Sequence, residues 1–363
     1  MHKNTRISVL NPDCSPAMPM KFYRAEARVQ SGQAEWVSND LQIKQIRLFS
    51  EPSGRNVQDI VAAIDPGKLF SGIAVGSAKF TLFMAHLVLP FPNVTKKMAA
   101  RRILRRARRG RRINRKVAFH LRAHRQKRFD NRRQKGLPPS ILANKRMELR
   151  VIQELLKLFP ISHIRYEVIK ARGDKGFSPA MMGQKSMVQW LNELRPTATQ
   201  EGWQTSILRQ QLGLSKDKTN KARQSPETHA HDAVALVASH FMQFEAFHTK
   251  NSRGHHWVGE MQLSPAPFRV ITRPNLFRRQ LHFENFSKGA VRKRKGGTIT
   301  PWGLRSGDFV RAEKAGKTYI GWVGGYSEVN NVISIYDHNW KRYGQFSIKK
   351  VELIRRDNGL CVA

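Results

Sequence analysis

The chain is poor in acids and nearly empty of cysteine. Its 363 residues hold 26 Asp and Glu against 65 Lys and Arg, a formal net charge of +39, and two cysteines, Cys14 and Cys361. Two cysteines near opposite ends build neither a disulfide framework nor a zinc quartet, so a reducing, cytoplasmic setting is expected. No run of about 18 apolar residues is present, so no apolar membrane span is expected. The start, Met1 to Arg6, lacks the apolar stretch of a secretory signal. The hydrophobic share is 40%, ordinary for a folded chain of two or three domains. So large a positive excess repels itself unless a polyanion neutralises it. Nucleic acid is favoured over a membrane surface, because no basic helix with a clean apolar face stands out.

The charge is concentrated. Residues 101–133 carry 16 Lys or Arg among 33, with Asp130 as the only acid. Arginine favours helix, and no proline interrupts before Pro138. Positive charge nearly all round the axis leaves no apolar stripe to bury. Arg101, Arg102, Arg105, Arg106, Arg108, Arg109, Arg111, Arg112, Arg115 and Lys116 are therefore candidate contacts to a nucleic-acid backbone. The plainer reading, a solvated basic tail, fits a segment in mid-chain poorly.

Periodicity gives a coarse fold. Residues 6–10 read as a strand, 21–33 as a short helix and 41–48 as a half-buried strand, a small α+β unit. Residues 59–90 read as an antiparallel meander of three strands around Asp65-Pro66-Gly67. Residues 141–159 form an amphipathic helix ended by Pro160, and 163–169 a strand. A Gly- and Lys-rich loop at 171–185 precedes helices near 186–195 and 204–213. The polar segment 215–224 is expected to touch nucleic acid or to move, and 228–246 to be an apolar helix. Residues 247–300 look basic and irregular. From 306 onward, strands at 307–313, 317–323, 331–336 and 343–349 suggest a small SH3-like barrel.

Three acids lie inside or at the edge of apolar elements: Asp65 after Val61-Ala-Ala-Ile64, Glu167 within His163-Ile-Arg-Tyr-Glu-Val-Ile169, and Asp232 within Thr228-His-Ala-His-Asp-Ala-Val234. A buried carboxylate is costly without a positive partner. Each alone has a plainer reading: a turn former, a salt-bridge partner for the basic helix, or an acid at a helix start. Together they suggest hard oxygen ligands for a two-metal Mg²⁺ site, with Mn²⁺ as a substitute, that hydrolyses phosphodiesters. His229 lies three residues before Asp232, on one helical face with it, and could handle the proton of the attacking water or leaving group. His231 is read as structural. His120 with His124, and His255 with His256, have no acid or cysteine beside them and are weak metal candidates.

At these residues the chain resembles a known family. Ile64-Asp-Pro-Gly67 with Gly72-Ile-Ala-Val75 resembles the first RuvC nuclease motif, Tyr166-Glu167 the second and Thr228-His-Ala-His-Asp232 the third. The arginine run at 101–109 is similar to the bridge helix of the IscB group, and Pro16-Ala-Met-Pro19 to its Pro-Leu-Met-Pro signature, with Ala17 in place of leucine. The HNH nuclease that IscB carries between the second and third motifs has no counterpart: residues 168–228 contain neither His nor Cys. That places the resemblance with the IsrB branch.

The resemblance implies an α/β fold with an RNase H-like (RuvC) core split by the arginine-rich helix. Its expected parts are an N-terminal domain at 1–56, nuclease parts at 57–98 and 137–246, the bridge helix at 99–136, a guide-RNA region at 247–300 and a β-rich domain at 301–363. It also implies a monomeric protein bound to a large ωRNA guide in a prokaryotic, nucleoid-associated setting. That complex would nick the non-target strand of double-stranded DNA beside a short adjacent motif. The rival readings are a guide-free junction nuclease and a non-enzymatic RNA-binding protein.

Overall fold

The computed structural model of the chain describes residues 5–112, 115–121, 136–170, 181–274 and 299–363. Among the described residues, no helix is long and apolar enough to cross a membrane. The architecture is mixed α/β, with four sheets and six α-helices among those residues.

The N-terminal unit contains strands β1 (Arg6–Leu10) and β2 (Pro16–Lys21), helix α1 (Phe22–Gln30), and strands β3 (Ala34–Val37) and β4 (Gln45–Leu48). Its sheet runs β2-β1-β4-β3 and closes a small core of Ile7, Val9, Ala25, Ala34, Ile46 and Leu48. The strand expected over 41–48 begins only at Gln45. The Asn39 side chain accepts from the backbone N–H groups of Leu41 and Ile43, at 3.2 and 3.1 Å. That local bonding gives the backbone an alternative to the ladder. The motif-like Pro16-Ala-Met-Pro19 stands on β2.

The chain then forms β5 (Val61–Asp65), β6 (Phe70–Ser77) and β7 (Phe80–Val88), followed by the basic helix α2 (Val94–Arg112) and by α3 (Pro139–Leu158). Next come β8 (His163–Val168), α4 (Gln184–Leu194), β9 (Thr197–Glu201), α5 (Gly202–Gln211) and α6 (Ala230–Ala238). Beyond them lie β10 (Gln243–His248), β11 (Arg253–Val258), β12 (Phe268–Thr272), β13 (Phe309–Lys314), β14 (Lys317–Ser327), β15 (Val332–Tyr336), β16 (Arg342–Ser347), β17 (Val351–Arg355) and β18 (Cys361–Val362).

The largest sheet has the order β18-β12-β7-β6-β5-β8-β9. β5, β6 and β7 pair antiparallel through short turns, as the meander reading requires, and β8 then pairs parallel with β5 in the register Ile64↔Tyr166. The buried strands are apolar on both faces because helices cover both. Ala62, Ile64, Ile73 and Val75 face α3 and α4, packing with Val151, Leu155, Met187 and Leu191. Val61, Ala63 and Ala74 face α6 and α5, packing with Ala233, Val237 and Leu208.

Two sequence expectations fail here. The helix expected over 228–246 ends at Ala238, and Gln243–His248 instead pairs with Arg253–Val258 as a hairpin. The segment Gln243-Phe-Glu-Ala-Phe-His248 lets Phe244 meet Trp257 across the ladder, their rings 5.0 Å apart, a pairing a helix would forgo. The stretch expected to be irregular over 247–300 also contributes β12, which runs parallel to β7 in the largest sheet. Of that stretch, residues 275–298 lie outside the described residues.

The C-terminal strands form an antiparallel sheet of order β16-β15-β14-β13-β17, with a short 3-10 turn, Ile348–Lys350, before the last strand. A two-residue turn joins β13 to β14, with Ala315 and Gly316 both at positive φ, 50° and 73°. That is the twist a tight hairpin needs. Val310, Ala312, Val323, Ile333, Ile335 and Phe346 fill the core. Sequence periodicity located β13 to β16 and missed β17, whose alternation of Val351, Leu353 and Arg355 with exposed Glu352 and Ile354 is short and mixed.

Candidate functional site

Strand alternation decides where the acids point. On β5, Val61 and Ala63 face α6, so Asp65, two residues on, takes the same face. On β8, Ile164 and Tyr166 belong to the opposite core, so Glu167 turns toward α5 and α6. The parallel register Ile64↔Tyr166 sets Asp65 beside Glu167 on neighbouring strands. Such strands lie about 4.8 Å apart. Asp232 stands in the first turn of α6, where the helix dipole favours an anion. His229 is the residue that caps this helix.

Gly72 makes that approach achievable. It pairs with Asp65 across β5 and β6, and a Cβ on it would lie 2.1 Å from the His229 carbonyl oxygen. A side chain there would push the start of α6, with His229 and Asp232, off the sheet. Gly202 does the same for Glu167: a Cβ at 202 would lie 2.8 Å from its Oε1.

The carboxylates feel one another. Burial, then the charge of Asp65, pushes the Glu167 carboxyl up to about 8, with Asp232 adding to the rise and the Thr205 hydroxyl opposing it. The Asp232 carboxyl is raised by burial and by Asp65, against the pull of Lys216 and Arg209. Asp65 is 9% exposed and Asp232 4%, so little water screens this repulsion. His229 Nδ1 lies 3.6 Å from Asp65 Oδ2, and its Nε2 is buried without a hydrogen-bond partner. The His229 ring packs against Phe70 and His86, with centroids at 5.8 and 5.3 Å.

Two cations on Asp232 escaped the sequence reading. Arg209 of α5 sits 2.8 Å from Oδ1, and Lys216 bonds Oδ2. His231, read as structural, anchors that loop: its Nδ1 lies 2.8 Å from the Ser215 carbonyl oxygen, one residue before Lys216. The polar segment 215–224 therefore has a defined role in holding Lys216 on the acid. The signal in sequence was Arg209 itself, a charged residue between apolar Ile207, Leu208 and Leu212, and it is 5% exposed.

Another group lies beneath the Asp65 turn. Glu148 of α3 is fully buried and accepts from Ser71 Oγ at 2.7 Å and Lys145 Nζ at 2.8 Å. Lys145 also donates to the Tyr166 hydroxyl at 3.0 Å, and Ser71 accepts from the Gly67 N–H at 3.3 Å. The amphipathic reading of this helix from sequence singled out neither charged residue.

A cation fits the carboxylate centre by chemistry and charge. The donors are hard oxygens, buried on Asp65 and Asp232 and half-buried on Glu167, and their repulsion is what a divalent ion relieves. They are nonetheless spread out. Among the described residues, the trio of metal-ligating groups whose donor atoms all lie within 4.8 Å of one another is Asp59, His163 and His240, not the three acids.

Elsewhere, α2 is exposed from Thr95 through Ala107, with Ile103 and Leu104 open to solvent, as a helix without an apolar partner should be. Arg101, Arg102, Arg105 and Arg106 lie on that surface. The side chains of Arg108, Arg109, Arg111 and Arg112 lie outside the described ones, as do residues 122–135 with His124. Arg115 and Lys116 follow the helix in a turn. Among the aromatics of the C-terminal strands, Trp322 is 4% exposed and ring-packed on Phe309. Trp302 and Tyr326 pack on the C-terminal core, and Trp340 donates to the Arg273 carbonyl at 3.2 Å.

Residues 7–186 of the chain match the model of a protein family described as RRXRR protein. The matched segment includes Arg105-Arg106-Ala107-Arg108-Arg109 and the elements that carry Asp65 and Glu167. No curated protein matches the chain.

Proposed function

We propose that the chain is an RNA-guided DNA nickase of the IsrB type. It would bind an ωRNA, leave sequence reading to pairing between guide and target, and cut the displaced strand by RuvC-type hydrolysis. The observation that carries this reading is that Asp65, Glu167 and Asp232 face the same side of the sheet, the latter two raised by burial and then by the charge of Asp65. Three further features support it. The strand order β7-β6-β5-β8-β9, with a crossover after the meander, is compatible with an RNase H-like core. The RRXRR match points toward IscB-like nucleases. The order β16-β15-β14-β13-β17 with a 3-10 turn before the last strand suits an SH3-like barrel that could hold the target-adjacent motif or RNA.

Asp65, Glu167 and Asp232 would hold the metal. Mg²⁺ or Mn²⁺ there supplies the charge that activates water and stabilises the leaving oxygen. His229 can orient a water or move its proton through Nε2, since Nδ1 faces Asp65. Arg209 and Lys216 fix the Asp232 carboxylate, and Gly202 leaves room for that of Glu167. The exposed arginines of α2 match phosphate geometry and would grip RNA.

One observation favours a second reading. Arg209 and Lys216 already engage both oxygens of Asp232, as in a non-catalytic RNA-binding protein built on a nuclease fold. Plasmid nicking separates the two. The chain loaded with its guide should nick target plasmid in Mg²⁺, and Asp65→Ala should lower the rate by about 10³-fold or more while guide binding is kept. Guide binding with no nicking in any divalent cation would establish the second reading.

A further inference from the structure

The three elements that present the acids carry a different set of ligands at their other ends. Asp59 precedes β5, His163 opens β8, and His240 follows α6. The register Val61↔His163 brings the two strand starts together, and α6, which begins near Asp65, returns His240 to the same pole. This pole lies roughly 20 Å from Asp65, six residues along a strand.

We propose that Asp59, His163 and His240 bind a structural transition-metal ion, Zn²⁺ or one of similar preference, that clamps the base of β5, β8 and α6. His163 Nδ1 lies 3.9 Å from Asp59 Oδ1, and His240 Nε2 lies 3.9 Å from Asp59 Oδ2. All three donor atoms fall within 4.8 Å of one another, and the two imidazole centroids are 4.6 Å apart. These separations exceed a hydrogen bond, which ends near about 3.2 Å, so the carboxylate bonds neither ring. The two 3.9 Å separations sit about half an ångström outside the roughly 3.4 Å edge of a tetrahedron with bonds of about 2.1 Å, and the two histidine donors, within 4.8 Å of each other, would close with a turn of the rings. The Asp59 side chain is 56% exposed and can turn inward by that amount.

The surroundings select the metal. Ser162 Oγ donates to the Ile60 carbonyl at 3.2 Å and lies 3.1 Å from His163 Nδ1, where it can only accept, so Nδ1 would give up its proton and this contact on taking the metal. The guanidinium of Arg165, tied to the Ser239 carbonyl at 2.9 Å, is felt at His240 and opposes a cation held by charge alone. Two imidazoles and one carboxylate suit Zn²⁺, Co²⁺ or Ni²⁺, and not the Mg²⁺ that three carboxylates prefer. With three protein ligands, water completes the fourth position. The clamp is independent of the nuclease reading.

The test uses the full chain, stripped with EDTA and then titrated with Zn²⁺ and separately with Co²⁺. Zn²⁺ at about 100-fold above its Kd should raise the melting midpoint by about 3 °C, and Co²⁺ should develop visible ligand-field absorption. Both signals should persist in Asp65→Asn. Zn²⁺ affinity should fall at least about tenfold in His163→Ala and His240→Ala. Asp59→Ala, a change at an exposed side chain, should weaken it as well and covers the case in which a histidine variant fails to fold. The proposal is overturned if the wild-type chain binds no Zn²⁺, if His163→Ala and Asp59→Ala bind it unchanged, or if Asp65→Asn abolishes binding.

Discussion

Glu148, fully buried, and the Asp65–Glu167–Asp232 trio, with Asp65 and Asp232 buried and Glu167 half-buried, lie on opposite faces of one sheet and are treated differently. Glu148 has Lys145 on one oxygen and the Ser71 hydroxyl on the other, and Lys145 reaches on to Tyr166. That carboxylate is fully answered, as a group serving the fold should be. The trio is not answered in the same way. Among the described residues, Glu167 has the Thr205 hydroxyl and Lys216 against its own burial and the charges of Asp65 and Asp232, and its proton is held up to about 8. Among the described residues, the ion pairs given to the trio fall on Asp65 and Asp232 and none on Glu167. An acid without an ion pair of its own, set beside Asp65 and Asp232 in so basic a protein, is where a divalent cation would relieve the most repulsion.

The contrast can be broken first through Glu148. Glu148→Ala leaves Lys145 charged, 3% exposed and without its carboxylate. Loss of one member of a buried pair costs about 3–5 kcal/mol, to be read from denaturant unfolding. A loss below about 1 kcal/mol would remove Glu148 from the structural side of the comparison. Gly72→Ala should follow, at about 1–3 kcal/mol, because the added carbon meets the backbone of His229, not a flexible side chain end. Its nicking should fall further than its stability, since the displaced element carries His229 and Asp232. Equal losses in the two would make Gly72 a packing residue alone.

How much of this could be read in advance depended on the range of the interaction. The meander, β8 and the C-terminal hairpins were legible because alternation and turn chemistry are local; Asp65, Glu167 and Asp232 stood out because each interrupts an apolar run. Lys145, Glu148, Arg209 and Lys216 were not legible: their partners lie 16 to 77 residues away, or, for Lys145 and Glu148 on each other, at a spacing common on any solvated helix face. The over-long helix at 228–246 has the same cause. Phe244 and Phe247 read as helical until Trp257 and Gly254 are known to lie opposite them.

The comparison predicts a pH signature for the metal-free protein. Glu167 keeps a proton in the folded chain up to about 8 that the unfolded chain loses in the ordinary carboxylate range. The folded state then binds more protons across that interval, so stability falls as pH rises through it, by at most about 1.4 kcal/mol per unit for one proton. Asp232, also raised, adds in the same direction. His86, lowered to about 4 by burial and by His229, acts oppositely but only below its ordinary value near 6.5. The clean window is therefore about pH 6.5 to 8. Unfolding free energy should decline with pH there without divalent cations and become flat in Mg²⁺, whose binding displaces the proton. A flat profile in both buffers would mean that the acids are compensated as fully as Glu148.

The smallest effect separates the two acid sites most sharply. In metal-free buffer, Asp65→Asn removes one member of a mutually repelling set and keeps its size, so the folded state should be unchanged or more stable by up to about 1 kcal/mol. Set against this is the loss of the 3.6 Å contact between Asp65 and His229, a pair at the edge of ion-pair range and worth less than the relief at Glu167 and Asp232, both of which Asp65 raises. Mg²⁺ should then stabilise the wild type and not the variant, reversing their order. The measurement is a pair of melting curves for each protein, with and without Mg²⁺, at pH 8. If Asp65→Asn is less stable in both buffers, Asp65 serves the fold as Glu148 does, and the carboxylate centre loses its claim to a cation.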